Sequence, residues 1–407
     1  MAIRYCTRCV YPSSSAVPLQ FDENGVCSGC RVAAQKHKID WDQRAEWLKE
    51  LADEYRVRDG SNYDCIIPVS GGKDSWFQTY YVKEVLGLNP LLVTYNGNNY
   101  LEVGLRNLKR MREVFGVDHI FFTPSPQTLI KLNRLCLKKM GDMNWHAHCG
   151  IFTYPVQVAV QYKIPLIVWG EHGFLDLGGM FSLSDMIEMT AKFRLEHAQR
   201  GFDWFDMLDD KNPGMEEGLQ PNELLWARYP SDEELEDAEI RGIYLGNFVN
   251  WDANKQTDLI VEKYGFEVSP EPFDRTYRRM SNLDDMHENG MHDYLKFIKF
   301  GYGRASDHVC KDIRSGKLTR EEGIELVRQY DHVKSRDLLR WLEYVNMSED
   351  EFDRIADTFR DPRVWEKNED GEWVKENIWG GKSAYPVPKL TGSNIDWSHL
   401  QKQPIPG

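Results

Sequence analysis

Apolar residues follow two rhythms along this chain. Short continuous runs occur at residues 63–69, 90–95, 118–122 and 165–169. Between them, apolar positions recur with the helical period. Residues 40–58 place Trp41, Ala45, Leu48 and Leu51 on one face, and residues 101–115 do the same with Leu101, Leu105, Leu108, Met111 and Phe115 before Gly116 stops the helix. Further helices are predicted over 76–86, 126–140 and 151–162. Strands that are apolar throughout, alternating with helices, predict an α/β fold with a parallel sheet covered on both faces. Ligands of such sheets collect beyond the carboxyl ends of the strands. Ser70, Tyr95-Asn96 and Gly170-Glu171 fall at those ends.

The pattern changes after Gly170. Gly173, Gly178 and Gly179 predict a mobile loop, and from Leu183 onward the chain reads as mainly helical. Thr319 with Glu322 and Ser348 with Glu351 have capping-box spacing. Residues 361–407 show few periodic signals and predict an extended arm. The expected division is a small cysteine module at 1–35, an α/β domain at 36–182, a mainly helical substrate or partner region at 183–360, and the arm at 361–407.

Composition narrows the class. The 407 residues are 41% hydrophobic and 28% charged, ordinary for a soluble protein. No apolar stretch approaches the ~20 residues of a membrane span, and the first residues lack the apolar core of a secretory signal. Eight cysteines are too sparse for a disulfide scaffold. A cytoplasmic protein with reduced thiols is expected. Of the net charge of −14, residues 201–240 carry −11 (thirteen Asp/Glu against two Lys/Arg). Such a stretch reads as a solvated face or a mobile insert, and it disfavours polyanion binding there.

Cys6-Thr-Arg-Cys9 and Cys27-Ser-Gly-Cys30 are two CxxC knuckles seventeen residues apart. That spacing predicts a four-thiolate structural zinc site. With four thiolates no position stays open, so no catalysis is expected of this metal. Cys65 and Cys136 read as core. Cys149 follows Trp145-His146-Ala147-His148 and reads either as a buried thiol or as lining a site.

Residues 70–75, Ser-Gly-Gly-Lys-Asp-Ser, lie between a strand and a helix. Gly71 and Gly72 let the backbone approach an anion, and the first N–H groups of the helix point at it. Ser70 and Ser75 add hydroxyls and Lys73 adds a positive charge. Asp74 would be repelled by a phosphate unless a divalent cation lay between them. The Walker spacing is absent. The six residues resemble the SGGxDS signature of the PP-loop ATP pyrophosphatases. That resemblance implies ATP bound at Ser70–Ser75, Mg²⁺ on Asp74, cleavage to AMP and pyrophosphate, and activation of a carbonyl or carboxyl oxygen.

Glu171 is a second candidate for Mg²⁺, or else the cap of the next helix. Tyr95, with Asn96, either packs on adenine or is a core tyrosine, and Gly170 belongs to the same strand-end set. Between Lys296 and His308, cations, aromatics and two glycines alternate. Lys299, Arg304 and His308 are the substrate-binding candidates there, since Lys and Arg hold carboxylates or phosphates.

A narrower resemblance rests on Tyr-Cys-Thr-Arg-Cys-Val-Tyr-Pro at 5–12, Phe-Asp-Glu-Asn-Gly-Val-Cys-Ser-Gly-Cys at 21–30, the phosphate loop, and Lys-Phe-Gly-Tyr-Gly-Arg-Ala-Ser-Asp-His at 299–308. Together they resemble the N-acetyl sugar amidotransferases of bacterial surface-polysaccharide and nonulosonic-acid pathways. The resemblance implies conversion of an acetamido group on a sugar or sugar nucleotide to an acetamidino group. It also implies ammonia supplied by glutaminase and cyclase-like partners, and a lid for which the 170–179 loop is the candidate. Lys73, Asp74 and Glu171 are then the expected catalytic set. The rival is a PP-loop tRNA thiolase, which would need Cys149 and Cys310 together in the cleft.

Overall fold

A computed structural model describes residues 3–280 and 286–391. Five parallel strands form one sheet in the order β3-β2-β1-β4-β5: β1 (Cys65–Pro68), β2 (Pro90–Tyr95), β3 (His119–Phe122), β4 (Leu166–Trp169) and β5 (Arg241–Tyr244). The three central strands are buried almost throughout, which their unbroken apolar character demands. The order reverses between β1 and β4, so a crevice opens beyond their carboxyl ends.

The helices preceding and covering the sheet are α1 (Ser28–Ala33), α2 (Trp41–Glu54), α3 (Lys73–Tyr80), α4 (Glu102–Phe115), α5 (Pro126–Met140), α6 (Trp145–Tyr162) and α7 (Gly173–Gly178). Gly116 ends α4 in the left-handed conformation that glycine favours. Two short helices, α8 (Ala191–Phe193) and α9 (Asp232–Asp237), precede β5, and α10 (Ala253–Tyr264) follows it. Then come α11 (Glu288–Phe300), α12 (Arg304–Arg314), α13 (Arg320–Tyr330), α14 (Leu338–Val345) and α15 (Glu349–Asp357). Thr319 and Glu322 complete a capping box at α13, and Ser348 accepts from the Glu351 N–H at α15.

Three expectations change. The α/β domain does not stop at 182, because β5 pairs with β4 in register Leu166 to Arg241. That strand escaped notice because Arg241 and Gly242 interrupt its apolar run. A Cβ at Gly242 would come within 3.0 Å of the Trp169 indole nitrogen. The arm contains an antiparallel three-stranded sheet, β6 (Glu366–Lys367), β7 (Trp373–Glu376) and β8 (Lys382–Ala384). Its far end is tied down by Lys334 donating to the Pro388 carbonyl and by Glu349 accepting from the Leu390 and Thr391 N–H groups. Residues 392–407 lie outside the described residues.

The acidic segment is no loose insert. Glu217 pairs with Arg134 and Lys138 of α5, and Glu223 with Lys131 of the same helix. Asp203 holds the buried Arg194 at 3.1 Å. The negative charge of 201–240 is thus partly neutralised by the basic face of α5.

Candidate functional site

The phosphate loop begins where β1 ends. Gly71 has φ +85°, and a Cβ there would lie 2.6 Å from Leu108 Cβ on α4. Only glycine satisfies both the turn and the close approach. Gly72 opens α3 with no side-chain cap. The Ser75 hydroxyl accepts from the Ser70 N–H at 2.9 Å and fixes the loop from within. Lys73 is 2% exposed and pairs with Asp74 Oδ1 at 2.5 Å. The other oxygen, Asp74 Oδ2, is buried with no hydrogen-bond partner among the described residues. An orphaned carboxylate oxygen at the mouth of an anion-binding turn fits a hard divalent cation.

Gly170 and Glu171 follow β4 on the same edge. A Cβ on Gly170 would meet Gln78 of α3 at 2.8 Å. Both Glu171 carboxylate oxygens accept from Lys311 Nζ, at 3.1 and 3.0 Å, and Asp176 holds the same ammonium at 2.8 Å. Burial, then the Asp176 carboxylate, push Glu171 up to about 7, against the pull of Lys311. The Asp74 carboxylate adds a smaller push on Glu171. Glu171 does not cap the next helix. His172 does, its Nδ1 accepting from the Leu175 N–H at 3.2 Å. Beyond Glu171 lies a cavity of about 430 Å³ bordered by Arg8, Lys36, Lys255, Lys311 and Arg314.

The 170–179 stretch is not a loose lid. Residues 173–178 are helical, Gly178 carries the carbonyl that accepts from Ser28 Oγ at 2.6 Å, and Gly179 sits against the Ser28 backbone. Gly178 and Gly179 serve close packing on the cysteine module.

Tyr95 is a core residue. It is buried, its ring lies 4.8 Å from that of Trp226, and its hydroxyl meets His146 Nδ1 at 3.3 Å. A Cβ on either Gly97 or Gly150 would strike the ring. No ring face is left for adenine. Asn96, at the same strand end, donates to Thr123 Oγ1.

The substrate-binding candidates are separated by their surroundings. Arg304 Nε lies 3.0 Å from Asp293 Oδ1, its Nη2 lies 2.8 Å from the same oxygen, and Arg275 Nε meets Asp293 Oδ2 at 2.5 Å. His308 is buried with Nδ1 at 2.7 Å from Thr276 Oγ1. Asp307 bonds Lys296 and accepts from Tyr11 of the cysteine module at 2.7 Å. Tyr302 stands edge-on to Tyr11 and accepts from the Ala16 N–H. Arg304 also faces Asp307 at 3.6 Å and so belongs to the joint that anchors the module, whereas His308 is held by Thr276. Lys299 differs: it is buried near Asp142 and Arg200, and burial pulls its ammonium down to about 8.

The four knuckle cysteines are fully buried, and their sulfur atoms lie within 4.8 Å of one another. Cys9 and Cys27 are 3.7 Å apart. A tetrahedron with metal–sulfur bonds of ~2.3 Å has edges of about 3.8 Å, so the group fits a single ion. Backbone N–H groups of Arg8, Cys9 and Cys27 point at Cys6 Sγ at 3.3–3.4 Å, as a thiolate ligand requires. Arg314 reaches Cys27 Sγ, and Arg320 donates to the Cys6 and Cys9 carbonyls.

The remaining cysteines are buried in separate places. Cys149 lies with Tyr95 and Trp226, whereas Cys310 lies against the four-cysteine module. Residues the sequence reading passed over are Asp142, Arg200, His292, Asp176 and Lys311. In the sequence His148 stands out only as a neighbour of Cys149. His292 lies on α11 and Lys311 on α12, whereas Asp142, Asp176 and Arg200 come from the turn after α5, from α7 and from the segment after α8, so no single local motif marks them.

Residues 261–378 match the family model described as "LPS biosynthesis protein WbpG-like, C-terminal domain". This part of the chain is thus similar to a lipopolysaccharide-biosynthesis domain, and the parallel α/β domain ahead of it carries the PP-loop signature. The chain is also 25% identical over 113 residues to "Uncharacterized protein MJ1599" of Methanocaldococcus jannaschii, a match spanning 28% of this chain and 40% of that protein. Among solved structures it is similar to the NMN synthetase of Francisella tularensis (11% identity, TM-score 0.27, 57% of this chain and 99% of that one). It is similar too to the U34-tRNA thiolase NcsA of Methanococcus maripaludis with its [4Fe-4S] cluster (15%, TM-score 0.30, 83% and 91%). Among the described residues no helix is long and apolar enough to cross a membrane.

Proposed function

We propose that the protein is an ATP-dependent carbon–nitrogen ligase that converts an acetamido group of a sugar or sugar nucleotide to an acetamidino group during lipopolysaccharide or nonulosonic-acid biosynthesis. The observation that carries the nucleotide half is the loop at 70–75, with its uncapped helix start, buried Lys73 and orphaned Asp74 Oδ2. The match of residues 261–378 to a lipopolysaccharide-biosynthesis domain supports the sugar half.

In this reading the loop amides, Ser70, Ser75 and Lys73 bind the β- and γ-phosphates. The acetamido oxygen attacks the α-phosphorus and pyrophosphate leaves. Ammonia then adds to the imidate carbon, AMP leaves with the former amide oxygen, and one proton is released. An amide oxygen is too poor a leaving group without adenylation. Lys73 and the amides are fixed before charge develops on the leaving phosphates, which is where such donors act most strongly. Mg²⁺ on Asp74, and on Glu171 once Lys311 gives way, would neutralise the phosphates. Zinc in the four-cysteine group would hold the first thirty residues in shape. Ammonia would come from glutaminase and cyclase-like partners. The tRNA thiolase reading gains no support from Cys149 and Cys310, which lie in separate cores.

The test is AMP release with ammonium salt and a panel of UDP-linked diacetamido uronic acids and CMP-linked nonulosonates, with mass spectrometry of the sugar. A product in which NH replaces O, formed in step with AMP, is expected. Sulfur entering tRNA, with no sugar changed, would overturn the reading.

A further inference from the structure

We infer that Asp142, His148 and His292 form a second metal site, for a single divalent ion of the zinc class, between the α/β domain and the helical region. One nitrogen of each imidazole and one oxygen of Asp142 lie within 4.8 Å of one another. Among the described residues only this group and the four cysteines gather ligand atoms so closely. The three residues come from different elements. Asp142 sits in the turn between α5 and α6, His148 in the first turn of α6, and His292 on α11. Chain distance alone would not bring His292 to this carboxylate.

The details suit ligation. Asp142 is 2% exposed, and its Oδ1 meets His292 Nδ1 at 2.9 Å. The Asn144 N–H donates to the same oxygen, and Arg200 holds Oδ2 at 2.8 Å, so the carboxylate is oriented from both sides. The His148 and His292 rings stand 5.7 Å apart, centroid to centroid. The His148 ring has no hydrogen bond to a described residue, although it is largely shielded from solvent. Metal–nitrogen and metal–oxygen bonds of ~2.0–2.2 Å put ligand atoms roughly 3 to 3.5 Å apart. Small side-chain rotations close the present spread to that range.

Two imidazoles and one carboxylate leave at least one coordination position open, the arrangement of a reactive rather than a purely structural site. A dication on two neutral rings and one carboxylate keeps one positive charge, and Arg200 and Lys299 lie beside it. The open position therefore selects an anionic oxygen, either hydroxide or a carboxylate. Arg200 is 43% exposed, which leaves the site reachable from that side.

The experiment is a metal count on the full chain incubated with excess ZnCl₂ and desalted. Wild type should hold two zinc ions per chain, and His148→Ala and His292→Gln should each hold one. A single zinc in wild type, or two in both variants, overturns the site. Should a variant fail to fold, Co²⁺ titration of wild type decides instead. The thiolate group gives sulfur-to-metal charge-transfer bands. A further equivalent that adds only weak ligand-field absorption supports the site, and saturation at the charge-transfer equivalent overturns it. None of these readings depends on the sugar chemistry proposed above.

Discussion

The loop at 70–75 and the stretch at 299–308 are both made of glycines and cations, and the fold uses them in opposite ways. In the second, charges answer charges: Arg304 finds Asp293, Lys296 finds Asp307, and Tyr11 arrives from the other end of the chain to complete the set. In the first, Asp74 keeps one buried oxygen without a partner, and α3 starts uncapped. Buried polar atoms are nearly always satisfied. The phosphate loop, with one oxygen unsatisfied, is open to something from outside, whereas Arg304 and Asp307 of the second stretch are answered from within and hold the molecule together.

The sharpest test replaces Asp74 with Asn, which keeps the shape and removes the charge. AMP formation should fall about 10²–10³-fold, the scale of one lost electrostatic stabiliser, with a Tm a few degrees lower at most, since the amide oxygen of the variant can still accept from the buried Lys73. Removing the metal from the module that the second stretch cradles should do the reverse. A strong chelator should lower the Tm by roughly 5 to 10 °C, because ligand binding here is folding energy. Gly71→Ala should fail on both counts, losing nucleotide affinity and about 3 kcal/mol of stability in chemical denaturation, through positive φ and the clash with Leu108.

Arg304→Ala separates the two regions most directly. It removes one of the two guanidinium groups paired with buried Asp293, so about 2 kcal/mol of stability should go. KM for the acceptor sugar should stay put; a rise in KM at unchanged stability would return Arg304 to the substrate site. The smallest effect concerns pH. Burial holds the His172 imidazole down to about 4, where it accepts the Leu175 N–H. The unfolded chain, titrating near 6.5, binds the proton first, so stability falls as pH drops from about 6.5 to 4. At pH 5.5 the loss from this one group is about 1 kcal/mol, and His172→Asn should remove that share of the slope while the shares of His119 and His146, held down in the same way, remain.

Four of the five strands were legible because each is an apolar run bounded by turn residues. The knuckles and the phosphate loop were legible because their spacing is their chemistry. β5 was not, since a strand carrying Arg241 and Gly242 no longer looks buried; Arg241 is excused by Glu188 at 2.8 Å and Gly242 by the Trp169 indole. Tyr95 and Arg304 misled for one shared reason. A strand-end tyrosine or a helix-opening arginine looks available until its partners, here 11 residues away for Arg304 and 51 for the Tyr95 hydroxyl, are known. The Asp142–His148–His292 group hid for the same reason, as its members belong to no common motif.

The cysteine module also sets a timetable. Tyr11 is synthesised 296 residues before Asp307, the carboxylate that receives its hydroxyl, and Arg314 and Arg320 come later still. At ~5–20 residues per second, the ribosome makes this module wait roughly 15 to 60 s for its seat. During that interval four thiols are exposed to the cell's metal and redox buffers with only their own knuckles to hold an ion. With zinc as the ion proposed for these cysteines, early metal capture becomes a condition of a good yield, and zinc-starved cells should accumulate this chain in aggregates before they lose proteins whose metal ligands and supporting residues are made together.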